Sequence, residues 1–199
     1  MRKQIIYLIL LSVLTLLPTF AEAEYDQFSV SVGVGNSQFQ LNQPGIVSSY
    51  IGLSGSSEFN DSATAFSLYG AMQLDEYLSL ETDLLIAGDI TVRESGQVYK
   101  LFDVSSFAVT VALAKPVGER TRIFARLGTH FWDISQSWGD FITINNAVDL
   151  TYGIGMDVNL YGDRSRQLRI QWNHYEYDGV FIENSDTLSL SLLFLIGGD

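Results

Sequence analysis

Two histidines, a scatter of serines and a few charged residues set among apolar neighbours are the side chains here that could do chemistry. A histidine beside a serine and a carboxylate would make an ester-hydrolysing centre, because imidazole takes up and returns a proton near neutral pH. His130 shares one strand face with Arg126 and Trp132, so a neighbouring carboxylate could orient it. No serine lies one or two residues away on its strand, and Ser135 and Ser137 fall in what reads as a loop. His174 sits on an apolar stripe at a strand end, where an amphipathic ring suits an interface. Both histidines are read as structural. Asp133, Asp140 and Asp149 are too scattered for a calcium loop, and Gly153-Ile154-Gly155 lies inside a strand with no following helix to cradle a phosphate. Neither a metal nor a cofactor is expected.

The remaining candidates are Glu81, Asp83, Arg126, Asp149, Asp157 and Arg169, each mid-strand and opposite an apolar stripe. Structurally they would form a paired network filling an interior. Functionally they could gate a narrow pore.

The elements that position them repeat one unit, clearest in the hairpin from Phe107 to Trp132. Phe107, Val109, Val111 and Leu113 alternate with small residues. Pro116, Gly118, Glu119 and Arg120 break the pattern, and a second alternating run follows from Ile123 to Trp132. The same period of two predicts strands over Tyr25–Gly35, Ala63–Leu74, Tyr77–Ile86, Ala147–Leu160, Gln167–Tyr177 and around Leu188–Ile196, making eight. Asn36–Asp61, Ala87–Lys100, Asp133–Asn146 and Asp178–Asn184 read as loops, with a short extra strand conceivable around Val47–Leu53. Asp75-Glu76, Lys115–Arg122 and Tyr161–Arg166 read as short turns.

Arg2 and Lys3, the apolar run Ile5–Leu17 and Ala21-Glu22-Ala23 have the form of a cleaved secretory signal, and the run is shorter than the ~20 residues a helical span needs. Residues 1–23 are therefore expected to be removed, leaving 24–199 as one domain. An exported chain with no cysteine excludes a disulfide framework and thiolate metal sites. The 23 acidic against 11 basic residues, net charge −12, make nucleic acid a poor partner.

Loops that alternate long and short fit a membrane barrel with short turns on the periplasmic side. The charged face is also rich in Gly, Ala and Ser, which suits packing inside a narrow eight-strand lumen. An arginine turned to lipid would cost roughly 2–4 kcal/mol near the midplane, so the charges must face inward. The fold class expected is all-β, an eight-stranded antiparallel up-and-down transmembrane β-barrel. A soluble exported carrier of the lipocalin type, apolar face inward, is the alternative.

The stretches Thr64–Leu85, Arg122–Trp132, Leu150–Leu160, Leu168–Tyr177 and Asp186–Ile196, in that order and spacing, resemble the OmpA-like small eight-stranded outer-membrane barrels. The resemblance implies an acidic residue in the third strand and an arginine in the fifth, here Glu81 and Arg126. It also implies a glutamate in the seventh, where this chain has Gln171, and an aromatic C-terminus, where it has Ile196-Gly197-Gly198-Asp199. The function expected is a non-catalytic, monomeric outer-membrane protein in contact with membrane lipid and lipopolysaccharide, meeting its extracellular ligand through long outer loops. The alternative in the same membrane is a lipid-modifying barrel enzyme.

Overall fold

The computed structural model describes residues 27–41, 58–94, 96–138, 141–160, 165–179 and 182–197. Period-two alternation produces nine strands there: β1 (Phe28–Leu41), β2 (Glu58–Asn60), β3 (Ser62–Gln73), β4 (Leu78–Glu94), β5 (Gln97–Val117), β6 (Thr121–Trp138), β7 (Phe141–Asn159), β8 (Arg166–Glu176) and β9 (Ile182–Ile196). They pair in the order β4-β3-β1-β9-β8-β7-β6-β5, and β4 pairs again with β5, which closes a ring of eight. β2 stands outside the ring, attached to β4. Every ladder is antiparallel, and Phe28 faces Ile196 where β1 meets β9.

One end of the ring is closed by tight turns with identifiable chemistry. Asp75 Oδ1 accepts the N–H groups of Tyr77 and Leu78, both at 2.7 Å, and so folds β3 back into β4. Gly118 takes φ +74° between β5 and β6, a conformation open to glycine without steric cost.

Polarity is inverted relative to a soluble protein. Large apolar side chains point away from the axis and stay open, including Val32 at 60%, Leu113 at 64%, Leu127 at 59% and Leu188 at 60% exposure. Glu81, Asp83, Arg126, Asp157 and Arg169 are buried inside. A lipocalin-like carrier needs the opposite arrangement, so that alternative is set aside. The β1 and β9 wall is lined with Ser, Gly and Thr, which leaves room for long side chains from across the barrel. A Cβ added at Gly33 would lie 2.1 Å from Ser191 Oγ.

The far end departs from the sequence reading. Ala87–Lys100 and Asp133–Asn146 are largely strand, as are Asn36–Leu41 and Ile182–Asn184 at the ends of the other two expected loops, of which residues 42–57 and 180–181 lie outside the described residues: β1 runs to Leu41, β4 to Glu94, β5 starts at Gln97, β6 reaches Trp138, β7 starts at Phe141 and β9 at Ile182. The candidate strand at Val47–Leu53 lies outside the described residues. The strands rise past the lipid zone, and there the polarity of the two faces exchanges. On β5 the outward row passes from Phe107 to Ser105 and Asp103, while Phe102 and Val104 turn inward and are buried. A register shift between Ala87 and Ile90 also breaks the alternation on β4. Exchanged polarity and a bulge together look like loop composition when read along the chain.

Candidate functional site

Inside the lower half of the barrel, nearest the short turns, three arginines and three carboxylates form a continuous alternating chain. Arg126 lies 3.4 Å from Asp83 and 3.7 Å from Glu81. Glu81 is 3.5 Å from Arg169 Nη1, and Arg169 grips Asp157 with Nε at 2.7 Å and Nη2 at 2.9 Å. Asp157 is also 3.1 Å from Arg122 Nη2. Because β4 and β8 stand opposite each other in the ring, the Glu81–Arg169 contact spans the lumen.

Two rings enclose the centre of this chain. The Arg169 guanidinium lies 4.3 Å from the centroids of both Tyr69 and Phe124, so its faces meet π-density while its edge meets carboxylates. The Tyr69 hydroxyl donates to Glu81, and that of Tyr175 donates to Asp83. Arg169 is thus held far more tightly than Arg126, whose contacts are long.

Glu81, Asp83, Arg126, Asp157 and Arg169 come together in this way, and Asp149 does not. It lies nearer the far end, accepting from Trp132 Nε1 at 2.6 Å and from the Asp178 N–H at 2.9 Å. Its inward parity is right, but β7 descends toward the short turns and Asp149 sits four inward positions above Asp157. The sequence reading also missed Arg122, which it placed in a turn. Extending the inward parity of Phe124 and Arg126 by one step includes it. Gln171, which replaces the glutamate expected in the seventh strand, is buried in the lumen directly above Arg169.

Above the charges, His130 Nε2 lies 2.7 Å from the carbonyl oxygen of Glu176, which can only accept, so Nε2 carries the proton and Nδ1 accepts. The hydroxyl that donates to Nδ1, at 2.8 Å, belongs to Ser106 on the neighbouring strand. A scan along the strand of His130 could not find this Ser–His contact, because the two residues meet across a ladder. The geometry is unlike a hydrolytic centre: the second ring nitrogen is used by main chain rather than a carboxylate, and both residues are buried. Tyr175 and Tyr177 meet the imidazole edge-on, each with centroids 5.2 Å away. An apolar layer follows, in which Phe39, Ile90, Leu101, Phe102, Trp132 and Ile182 are all buried.

On the outer surface near that level, His174 stacks on Tyr152 at 4.8 Å beside Trp172, with Nδ1 2.8 Å from Asp186 Oδ1. Outward residues below are apolar, and Asp186 and Glu176 lie beside and above. This is the border of the lipid zone, where such rings gather.

A closed antiparallel barrel that is apolar outside and charged within defines a transmembrane β-barrel. A family model described as the outer membrane protein beta-barrel domain matches residues 6–194, and the chain belongs to that family, whose members lie in the bacterial outer membrane. Among solved structures, the Yersinia pestis attachment invasion locus protein Ail is similar at 14% identity and TM-score 0.56, over 85% of this chain and 98% of that one. Neisserial surface protein A aligns at 10% identity and TM-score 0.61, over 84% and 96%. The N-terminal β-barrel domain of Pseudomonas aeruginosa OprF aligns at 10% identity and TM-score 0.56, over 84% and 97%. A second Ail structure holds the heparin analogue sucrose octasulfate. At these identities the likeness concerns the fold. No curated protein matches the sequence.

Proposed function

We propose that the chain is a non-catalytic outer-membrane protein whose working surface is its outer end, carried on the raised β4–β5 and β6–β7 hairpins, with a lumen that is sealed rather than conducting. The observation that carries this reading is the double filling of the barrel, charges below and apolar side chains above. An eight-strand interior is only just wide enough for side chains, and here both layers reach across it. Lipid and lipopolysaccharide surround the apolar belt, the protein is a monomer in the membrane, and residues 1–23 are removed on export.

Ail has been captured with a polyanion. This chain's net charge of −12, with Asp89, Asp103, Glu176, Asp178, Glu183 and Asp186 at its outer end, opposes a ligand of that kind. A lipid-modifying activity would have the Ser106–His130 pair to draw on, and both side chains are buried in the lumen.

The test compares the intact protein with a barrel trimmed between Asp89 and Lys100 and between Ser135 and Ile144. Attachment of bacteria displaying each form to host cells is measured, together with planar-bilayer conductance and release of fatty acid from lipopolysaccharide. The reading expects attachment to fall on trimming, and neither current nor fatty acid from the intact protein. Steady current or fatty-acid release would refute it.

A further inference from the structure

Where the strands leave the lipid zone, β4, β5, β6 and β7 rise together as one ribbon, their ladders continuing to Glu94↔Gln97 and Trp138↔Phe141. The ribbon has two edges. On the β4 side, β2 pairs Glu58–Asn60 with Thr91–Arg93 and covers it. On the β7 side, β8 pairs only from Asn159 up to Thr151 and then ends at Glu176. Among the described residues, β7 above Thr151 is therefore paired on its β6 side alone.

Parity tells which backbone groups face the open side. The Asn159 N–H donates to Arg120 O, toward β6, whereas the Leu160 N–H donates to Arg166 O, toward β8. The β6–β7 register then runs without a shift to Phe141, so odd residues of β7 face β6. Ile142, Ile144, Asn146 and Val148 present their N–H and C=O groups to the open side, while the Leu150 carbonyl is taken up at the last rung of the β8 ladder. The stretch Phe141–Leu150 contains no lysine and no proline, the residues that usually discourage pairing at an edge.

At the foot of this edge, in the step left where β8 stops, lies a notch of about 290 Å³. Asp149, Glu176, Asp178 and Glu183 line it together with His174, and among the described residues no lysine or arginine does. The notch and the edge are continuous, since Asp149 belongs to both.

We infer that the outer end binds an extended, basic segment of a partner protein, added as a strand to the open edge of β7, with a lysine or arginine of that segment in the notch. Backbone pairing supplies a site that tolerates many side chains, and the carboxylates select for positive charge. The inference deepens the proposed surface function and rests on it.

The probe is a library of random twelve-residue peptides, selected against the full chain in lipid nanodiscs. Enriched peptides should carry Lys or Arg. Methylating their alternate backbone nitrogens should weaken binding at least about tenfold, because a methylated nitrogen cannot pair with a strand. Asn146→Pro, which removes one outward N–H and leaves the β6 ladder intact, should do the same, and Asn146→Ala should not. Glu176→Gln with Glu183→Gln should abolish the preference for basic peptides. Should Asn146→Pro misfold, the methylated peptides decide the matter on the unaltered protein. An absence of enriched peptides, enrichment of neutral or acidic ones, or indifference to backbone methylation would overturn the inference. If cells carrying Asn146→Pro still attach while those carrying the trimmed barrel do not, this inference fails and the broader surface function stands.

Discussion

Arg126 and Arg169 are both buried guanidiniums facing carboxylates, yet they should answer mutation differently. Arg169 has two contacts under 3 Å to Asp157 and two aromatic faces, whereas the contacts of Arg126 to Asp83 and Glu81 are 3.4 and 3.7 Å. Removing one partner of a buried pair costs roughly 3–5 kcal/mol, because the other charge is stranded. Asp157→Asn, which deprives both Arg169 and Arg122, should fall at the upper end of that range. Glu81→Gln and Arg126→Met should each be costly, and the double change should cost less than their sum. Urea unfolding from lipid vesicles measures all four, and strict additivity would mean that Glu81 and Arg126 do not interact. Asp149→Asn should leave the lumen chain untouched and loosen Trp132 instead.

A strand's outward row reports its surroundings position by position. Leu127→Arg places a cation in the belt and should cost about 2–4 kcal/mol if its depth is central, with smaller losses toward either border. Equal losses at all depths would contradict a bilayer position. Above the belt, on the β4–β5 hairpin, Lys100 lies 2.6 Å from Asp89 and 2.7 Å from Asp103. A hydrogen bond from Lys100 holds the Asp89 carboxyl below its ordinary range, and hydrogen bonds to Asp103 and Asp89 raise the Lys100 ammonium. The Asp89 contribution is present above the usual carboxylate pKa of about 4 and is lost as pH falls through its lowered value; that of Lys100 is present below about 10.4 and lost as pH rises through its raised value. These groups are half exposed, so each pair contributes at most about 1 kcal/mol. Protection factors of the hairpin-tip amides, taken relative to intrinsic exchange at each pH, should fall at both pH extremes and at high salt, while the belt stays protected. Within the belt the alternation identified every described strand and its outward row, since lipid on one side and lumen on the other enforce a strict period of two. Asp149 shows the limit of that reading, because parity fixes a residue's face and leaves its height, and hence its partners, to the register.

For the whole molecule, conduction and stability should be separable. Breaking the lower chain by Glu81→Gln or Arg126→Met leaves the layer of Phe39, Leu101, Phe102, Trp132 and Ile182 above it in place. Current across planar bilayers should therefore stay at baseline in both variants, and a rise in either would show that the charges are the seal. The ladder between β1 and β9 joins the first described strand to the last, Phe28 beside Ile196. Nearly the entire described chain must be present before that seam can form, so closure comes late and loop-closure entropy weighs on it. Until then Glu81 on β4 and Arg169 on β8 lie four strands apart on one open sheet, and their contact across the lumen is unmade, although Arg169 already has Asp157 beside it on β7. A barrel caught halfway thus suits the lipid interior on its outer face and opposes it on the charged inner one, and insertion and closure are bound into a single event.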